Sequence, residues 1–466
     1  MISAFKEMTE KVYSTKQDKV VLGRVSGSLW NNEETLTEGQ LNHHVHIVGA
    51  SGFGKTVLLS HIIKQRIQQG KGLLFIDLKG DLETLMNLSR YAIDANRIDD
   101  VQIFSLTEKK LSLPYKLFAH GTPTELRDKI ILSFNWSEEY YKNQAASFLL
   151  KLLIILCWLR DHNQLDIHLG LILECCKDKS VVTHYGNLVP LEESKLRSLA
   201  NELVVFLSEK ENFHSLQGLR TQLESISLSD FGDLIATDKP GINLFETVKQ
   251  GKIIFLFLDS RRYGETAKSV GRFILQDLKA TSAKVDAEIP KMDRKPFTVV
   301  IDEFADLASE DFIGFLDRAR SSKMSIVVAH QEICDLQRIS PEFAGRLMGN
   351  TSTLYAFLQK RPESAEMISA MAGTRKSWKE TIQSEKFFGV DLATGGKSLR
   401  EVEEFNIHPN LIKSLRVGKC VCVKKYPKSR SYLVDVRPEA APMPLGKDLA
   451  IQSRYETIEP NKTHEK

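Results

Sequence analysis

The chain has 466 residues, with 63 basic and 60 acidic side chains and a formal net charge of +3. Apolar residues make up 42% and charged residues 26%, the balance of an ordinary globular chain with material for large cores and length for about three domains. There is no global basic excess, so contact with nucleic acid would have to rest on local patches. The six cysteines form no C-x-x-C pair, which argues against structural zinc and for small core residues in a reducing compartment.

The first 17 residues are polar and lack the apolar core of a signal peptide. Residues 19–40 read as short strands and turns. An apolar strand at 45–48 then runs into Gly49, Ala50, Ser51, Gly52, Phe53, Gly54, Lys55 and Thr56, a complete G-x-x-x-x-G-K-T loop. An amphipathic helix over 57–69, closed by Gly70, follows. Strand, glycine-rich loop and helix form the context in which this motif binds a polyphosphate. Backbone N–H groups and the helix N-terminus converge on the phosphates. The expected binding set is therefore Gly49 through Thr56 with Val57. Lys55 would reach the outer phosphates, and Thr56 would ligate Mg²⁺.

Further buried strands are expected at 73–77 and 101–105. From 122 to 238 the periodicity turns helical. Thr124 is the expected cap of a helix starting at Glu125, and other helices are expected at 140–160, 191–207 and 212–226. The most apolar run, 148–159, carries Lys151 and is shorter than the roughly 20 residues of a membrane span, so a buried helix is expected there. Strands return at 252–259, followed by a helix with Val270, Ile274 and Leu278 on one face. A charged connector, 284–295, comes next, then apolar segments at 298–306, 325–331 and 352–358, and a hairpin of 419–424 with 431–436. Beyond Pro438 a polar, disordered tail is expected. The expected organisation is an α/β core split into 1–121 and 241–438, an inserted all-α domain at 122–240, and a tail at 439–466.

The strand Thr298-Val299-Val300-Ile301 ends in Asp302-Glu303. Asp302 suits the Mg²⁺ shell, and Glu303 suits activation of the attacking water. The strand at 325–331 ends in Gln331, which would reach the γ-phosphate or the water if the strands are parallel and end at one edge. Arg320 is the candidate arginine supplied to a neighbouring subunit, with Arg318 second. Asp77 and Lys79 close another strand and line either the site or a channel. His43, His44 and His46 lack a further ligand for a metal. Arg375, Lys376, Trp378 and Lys379, and the acid-free stretch 413–430, are either local DNA contacts or solvated surface.

The P-loop block, Phe75-Ile76-Asp77-Leu78-Lys79-Gly80-Asp81, Asp302-Glu303-Phe304-Ala305-Asp306-Leu307, Arg320 through Gln331, and Gly349-Asn350-Thr351-Ser352 with Pro362-Glu363-Ser364-Ala365-Glu366 together resemble the TraD/TraG-type conjugative coupling proteins of type IV secretion, within the HerA/FtsK superfamily. Leu78 departs from the family's proline in its block. The resemblance implies a RecA-like P-loop NTPase core with a mostly parallel sheet and an inserted all-α domain. It implies ATP and Mg²⁺ at the interfaces of a homo-hexamer, and DNA in a central channel. The implied partners are a relaxase or other transfer substrate and the type IV secretion components. Typical coupling proteins carry N-terminal transmembrane helices, and this sequence has no such segment. The expected place is the bacterial cytoplasm, with docking on the cytoplasmic face of the inner membrane as one alternative. Two other readings are a HerA-like cytoplasmic helicase and a recruitment platform for protein cargo.

Overall fold

The computed structural model describes residues 19–27, 32–387 and 390–437, with 380–399 described as backbone only. The expected tail from 439 onward lies outside the described residues.

In chain order the elements are β1 (Lys19–Val25), β2 (Glu33–Thr37), α1 (Glu38–Asn42), β3 (Val45–Val48), α2 (Lys55–Gln68), β4 (Gly72–Asp77), α3 (Leu82–Asp94) and β5 (Val101–Ser105). Seven helices follow without an intervening strand: α4 (Pro123–Ser133), α5 (Glu139–Asp161), α6 (Leu169–Lys177), α7 (Lys179–Leu188), α8 (Ser194–Ser208), α9 (Lys210–Ser215) and α10 (Gln217–Ser227). Next come α11 (Leu244–Gln250), β6 (Ile253–Phe257), α12 (Ser260–Glu288), β7 (Phe297–Ile301), α13 (Glu310–Ala319) and β8 (Met324–His330). The chain continues through α14 (Phe343–Asn350), β9 (Thr353–Ala356), α15 (Pro362–Ala372), β10 (Thr374–Phe387), β11 (Val390–Phe405), α16 (Pro409–Lys413), β12 (Lys419–Lys424) and β13 (Arg430–Asp435). The chain divides into two compact units, 1–62 with 327–440, and 63–326 with 441–466.

In the first unit the strand order is β2-β1-β13-β12-β9-β3-β8. The central strand β3 runs parallel to both β8 and β9, and every one of its residues is buried, as a strand covered on both faces requires. From β9 outward the pairing is antiparallel. The β12–β13 ladder runs from Lys419↔Asp435 to Lys424↔Arg430, within a residue of the expected hairpin. This wing buries Glu34, whose carboxylate accepts from Tyr355 Oη at 2.5 Å and Tyr432 Oη at 2.6 Å and pairs with Lys424 Nζ at 2.7 Å. Three donors offset the desolvation of the charge. β10 and β11 form a separate antiparallel ribbon, with no counterpart among the expected strands.

In the second unit β7-β4-β6-β5 are all parallel. Arg97 clamps its lower edge, donating to the carbonyls of Lys71 and Gly251, each at 2.7 Å. The helix α4 starts earlier than expected. Thr122, not Thr124, is its cap, because Thr122 and Glu125 close a reciprocal capping box and Pro123 occupies the first turn. The expected single helix at 212–226 is broken into α9 and α10 at Leu216. The expected connector loses 284–288 to α12, which is stapled there by a Lys284–Glu288 pair and is kinked at Gly264.

By length and composition α5 is apolar enough to cross a membrane, and half of that window is buried inside the protein. Phe148, Leu149, Leu152, Leu153 and Leu156 form its buried stripe. Helix α4 is held to α12 by a buried ion pair, Lys129 Nζ to Asp277 Oδ1 at 2.6 Å. Tyr115 Oη donates to the other Asp277 oxygen at 3.0 Å, and Lys129 also donates to the Leu117 carbonyl.

Candidate functional site

Each unit presents one carboxyl edge of parallel strands. In the first, the register Val48↔His330 and Val48↔Ala356 brings Gly49, Gln331 and Phe357 to the same edge. The loop leaves β3 held from both sides. Gly49 N–H donates to the His330 carbonyl at 3.2 Å, and Ala50 N–H to the Leu358 carbonyl at 2.9 Å. Glycine is required here for two different reasons. A Cβ on Gly49 would sit 2.4 Å from Phe357 Cβ, so the backbone passes that ring only bare. Gly52 and Gly54 have φ of +81° and +117°, a region that L side chains avoid.

Helix α2 then starts at Lys55. Lys55 is buried, and its Nζ donates to the carbonyls of Gly49 at 2.6 Å and Ala50 at 3.3 Å. Those oxygens are partners of the same kind as phosphate oxygens. Thr56 is exposed.

Below the loop, His46 and His330 stack and meet Nε2 to Nε2 at 2.6 Å, both fully buried. His330 Nδ1 lies 3.1 Å from the Glu332 carbonyl, which can only accept. His330 therefore carries its proton on Nδ1, and His46 Nε2–H donates to His330 Nε2. Burial, aided by the nearby Lys55 charge, pushes His330 down to about 3, and burial with the facing His330 pushes His46 down as well. These histidines are a neutral support under the P-loop, and the pairing of His46 across strands was not visible in the sequence.

At the carboxyl edge of the second unit, the register Ile76↔Ile301 sets Asp77 beside Asp302. Asp302 is buried, and Glu303 follows with φ 52° and ψ 41°, a left-handed conformation that costs a non-glycine residue about 1 kcal/mol or more. Lys79 Nζ lies 2.7 Å from Asp302 Oδ2 and 3.1 Å from Glu303 Oε1. Burial disfavours the ammonium, but the two carboxylates outweigh it and hold the Lys79 pKa above the ordinary lysine value. Asp77 Oδ1 accepts from Lys79 N–H at 3.0 Å and Oδ2 from Asp81 N–H at 3.3 Å. Burial raises Asp77 to about 6, with the Asp302 charge adding to it and the two N–H donors opposing. Lys79 is thus part of the acidic cluster.

Gln331 is exposed at the end of β8, and its carbonyl accepts from Gln359 Nε2 at 3.1 Å. Arg318 lies in the last turn of α13, and Arg320 is its C-cap. The turn after them is anchored, since Arg320 O accepts from Lys323 N–H and Arg294 donates to Ser321 O at 2.8 Å. The basic cluster of the ribbon is partly neutralised: Lys376 pairs with Glu401 at 2.6 Å and Lys379 with Glu404 at 3.0 Å. Among the described residues no group of three or more His, Cys, Asp or Glu is arranged to hold a metal ion. Thr56 in the first unit offers an exposed hydroxyl and Asp302 in the second a buried carboxylate, each a hard oxygen donor. All six cysteines are buried and outside disulfides.

These elements define the class: an α/β protein of the RecA-like P-loop NTPase type, with a mostly parallel sheet and a large helical insertion. The family model "Helicase HerA-like C-terminal" matches residues 24–123, and "TraM recognition site of TraD and TraG" matches 296–415. The type 4 coupling protein DotL of Legionella pneumophila is 22% identical over 383 residues, covering 71% of this chain and 49% of that protein. An uncharacterized protein of Mycoplasma pneumoniae is 37% identical over 68 residues, 14% of this chain and 57% of that one. The chain thus spans about half the length of the curated relatives it matches. Among solved structures, the bacterial conjugative coupling protein TrwBdeltaN70 has a TM-score of 0.64 at 14% identity, covering 93% of this chain and 92% of that one. The same coupling protein solved with ADP and Mg²⁺ has a TM-score of 0.59 at 14% identity, covering 88% of each chain. By motifs, fold and relatives together, the chain resembles the TraD/TraG-type coupling proteins within the HerA/FtsK superfamily.

Proposed function

We propose that this protein is an ATP-driven DNA translocase of the coupling-protein type, which delivers DNA with its bound relaxase to a type IV secretion channel. The observation that carries the reading is the P-loop, glycine-tight against Phe357, with Lys55 already turned onto oxygen acceptors. The structural relative bound to ADP and Mg²⁺ supports nucleotide and metal as ligands.

In this reading the N–H groups of 49–57 and the Lys55 ammonium hold the polyphosphate. Thr56 and Asp302 would hold Mg²⁺, which when bound neutralises phosphate charge. Glu303 takes the proton of the attacking water, and Gln331 orients that water. Arg320 completes the site of the neighbouring subunit in a homo-hexamer. DNA is gripped by local positive charge, so binding weakens with salt. The working place is the bacterial cytoplasm, at the inner membrane face when docked on secretion components.

The test is an ATPase assay of the purified full chain, with and without single- and double-stranded DNA at low salt, alongside a mass measurement. Stimulated turnover by a hexamer, abolished in Lys55→Ala and replaced by trapped ATP in Glu303→Gln, is expected. A hexamer whose turnover ignores every DNA added would overturn the DNA motor.

A second reading is a platform that recruits protein cargo. The description of the model matching 296–415 as a protein-recognition region favours it. Capture of a relaxase by the full chain, with no effect of DNA on turnover, would select it.

A further inference from the structure

Lys79 stands where two carboxylates converge, and the fold leaves its backbone little freedom to stand elsewhere. Its N–H is held by Asp77, and the following Gly80 has φ +69°. A Cβ on Gly80 would meet Asp259 Cβ at 2.4 Å. The neighbouring loop is tied on as well, with Leu258 N–H donating to Asp77 O at 2.9 Å and Ser260 N–H to Leu78 O at 2.8 Å. Asp302 N–H is fixed to Ile76 O at 2.9 Å. Two rigid strand ends therefore present a single ammonium to both acids, at 2.7 and 3.1 Å. Its four-carbon stem turns about several single bonds, and its side chain remains 32% exposed.

We propose that Lys79 is a positioning residue of the nucleotide site, an internal cation that holds the Asp302–Glu303 pair in place of a divalent metal and must release it when metal and nucleotide bind. The inference rests on the reading of Asp302 as a metal ligand. An ammonium and a divalent cation compete for the same hard oxygens, because both are drawn by the same charge and cannot share the space. With Lys79 seated, one of the two negative charges is offset and an oxygen of each acid is occupied, so metal alone binds more weakly. A polyphosphate that brings its own Mg²⁺ supplies the additional charge that moves the lysine off. The acid pair is thereby kept assembled yet closed to stray cations until nucleotide arrives.

The experiment uses Mn²⁺ alone, titrated into nucleotide-free full-length protein and read by the electron paramagnetic resonance signal of the free ion. Lys79→Met and Lys79→Gln are expected to raise Mn²⁺ affinity by about 10-fold or more, since a positive charge next to both acids is gone. Lys79→Arg should bind Mn²⁺ as weakly as the wild type, and Lys79→Met combined with Asp302→Asn should lose the gain. Thermal melting of each variant establishes that it is folded. Equal Mn²⁺ affinity in the wild type and in whichever neutral variant is folded would overturn the proposal. A wild type that neither binds nor hydrolyses ATP would instead defeat the proposed function, and the Mn²⁺ comparison would still decide the role of Lys79.

Discussion

His46 and His330 meet Nε2 to Nε2 at 2.6 Å inside the sheet, beneath the strand end that carries the P-loop. His330 Nε2 accepts from His46 only while it is unprotonated, and burial disfavours a charge on either ring. The native state therefore holds the His330 pKa far below its unfolded value near 6.5, at about 3.

The sign of the pH effect follows. Between about pH 3 and pH 6.5 the unfolded chain binds the proton and the native chain does not, so stability rises with pH across that window and is complete above it. The His330 share of the stability lost on acidification from pH 7 to pH 4 should be a few kcal/mol, about 1.4 per pKa unit, while Asp77, raised to about 6, works in the opposite direction and is common to wild type and variant. Denaturant midpoints measured at pH 7 and pH 4 check this. His330→Gln, which keeps an acceptor for His46 and a donor for Glu332, should flatten the dependence. An unchanged slope in the variant would show that the pair does not drive it.

Three glycine-to-alanine changes should separate space from conformation. Gly49→Ala puts a methyl into Phe357 and should cost about 1–3 kcal/mol or more, together with nucleotide binding. Gly52→Ala meets nothing within 4 Å but has φ +81°, so about 1–2 kcal/mol is expected. Gly314→Ala, exposed in α13 with open space around it, should be neutral or stabilising by up to about 1 kcal/mol. Chemical denaturation of the three variants separates them, and a Gly314→Ala as costly as Gly49→Ala or Gly52→Ala would contradict this packing.

Lys129→Met should destabilise the chain by about 3–5 kcal/mol, because Asp277 stays buried with Tyr115 as its remaining hydrogen-bond donor. Adding Asp277→Asn should recover part of that loss. A double-mutant cycle on unfolding free energy measures the coupling, and strict additivity would deny it.

Arg320→Ala alone should lower turnover on the order of 10³-fold if Arg320 acts across a subunit boundary. Mixed with Lys55→Ala protein, it should regain part of the activity, because some interfaces then join an intact Lys55 to an intact Arg320. If mixing restores nothing while both variants still assemble, Arg320 does not complete a neighbouring subunit's site.

Much of the architecture was legible along the chain. The strand at 45–48, the strand at 101–105 and the terminal hairpin fall within a residue of expectation, because buried apolar runs bounded by turn residues carry their own signal. Helix boundaries in the insertion were less legible. Thr122 competes with Thr124 for the cap, and only the reciprocal bond to Glu125 decides between them. The ribbon of β10 and β11 is polar and charged, with no alternating apolar face to announce it.

By itself the sequence determined the phosphate loop, the strand ending in Asp302-Glu303, and the helical character of the insertion. These are contiguous patterns, set by local backbone geometry and side-chain periodicity. Tertiary structure alone decided that Phe357 makes Gly49 obligatory, that His46 needs His330, and that Lys79 grips Asp302 across 223 residues of chain. The reason is physical: parallel strands bring distant residues to one edge through register, and register is a property of pairing that no single segment contains.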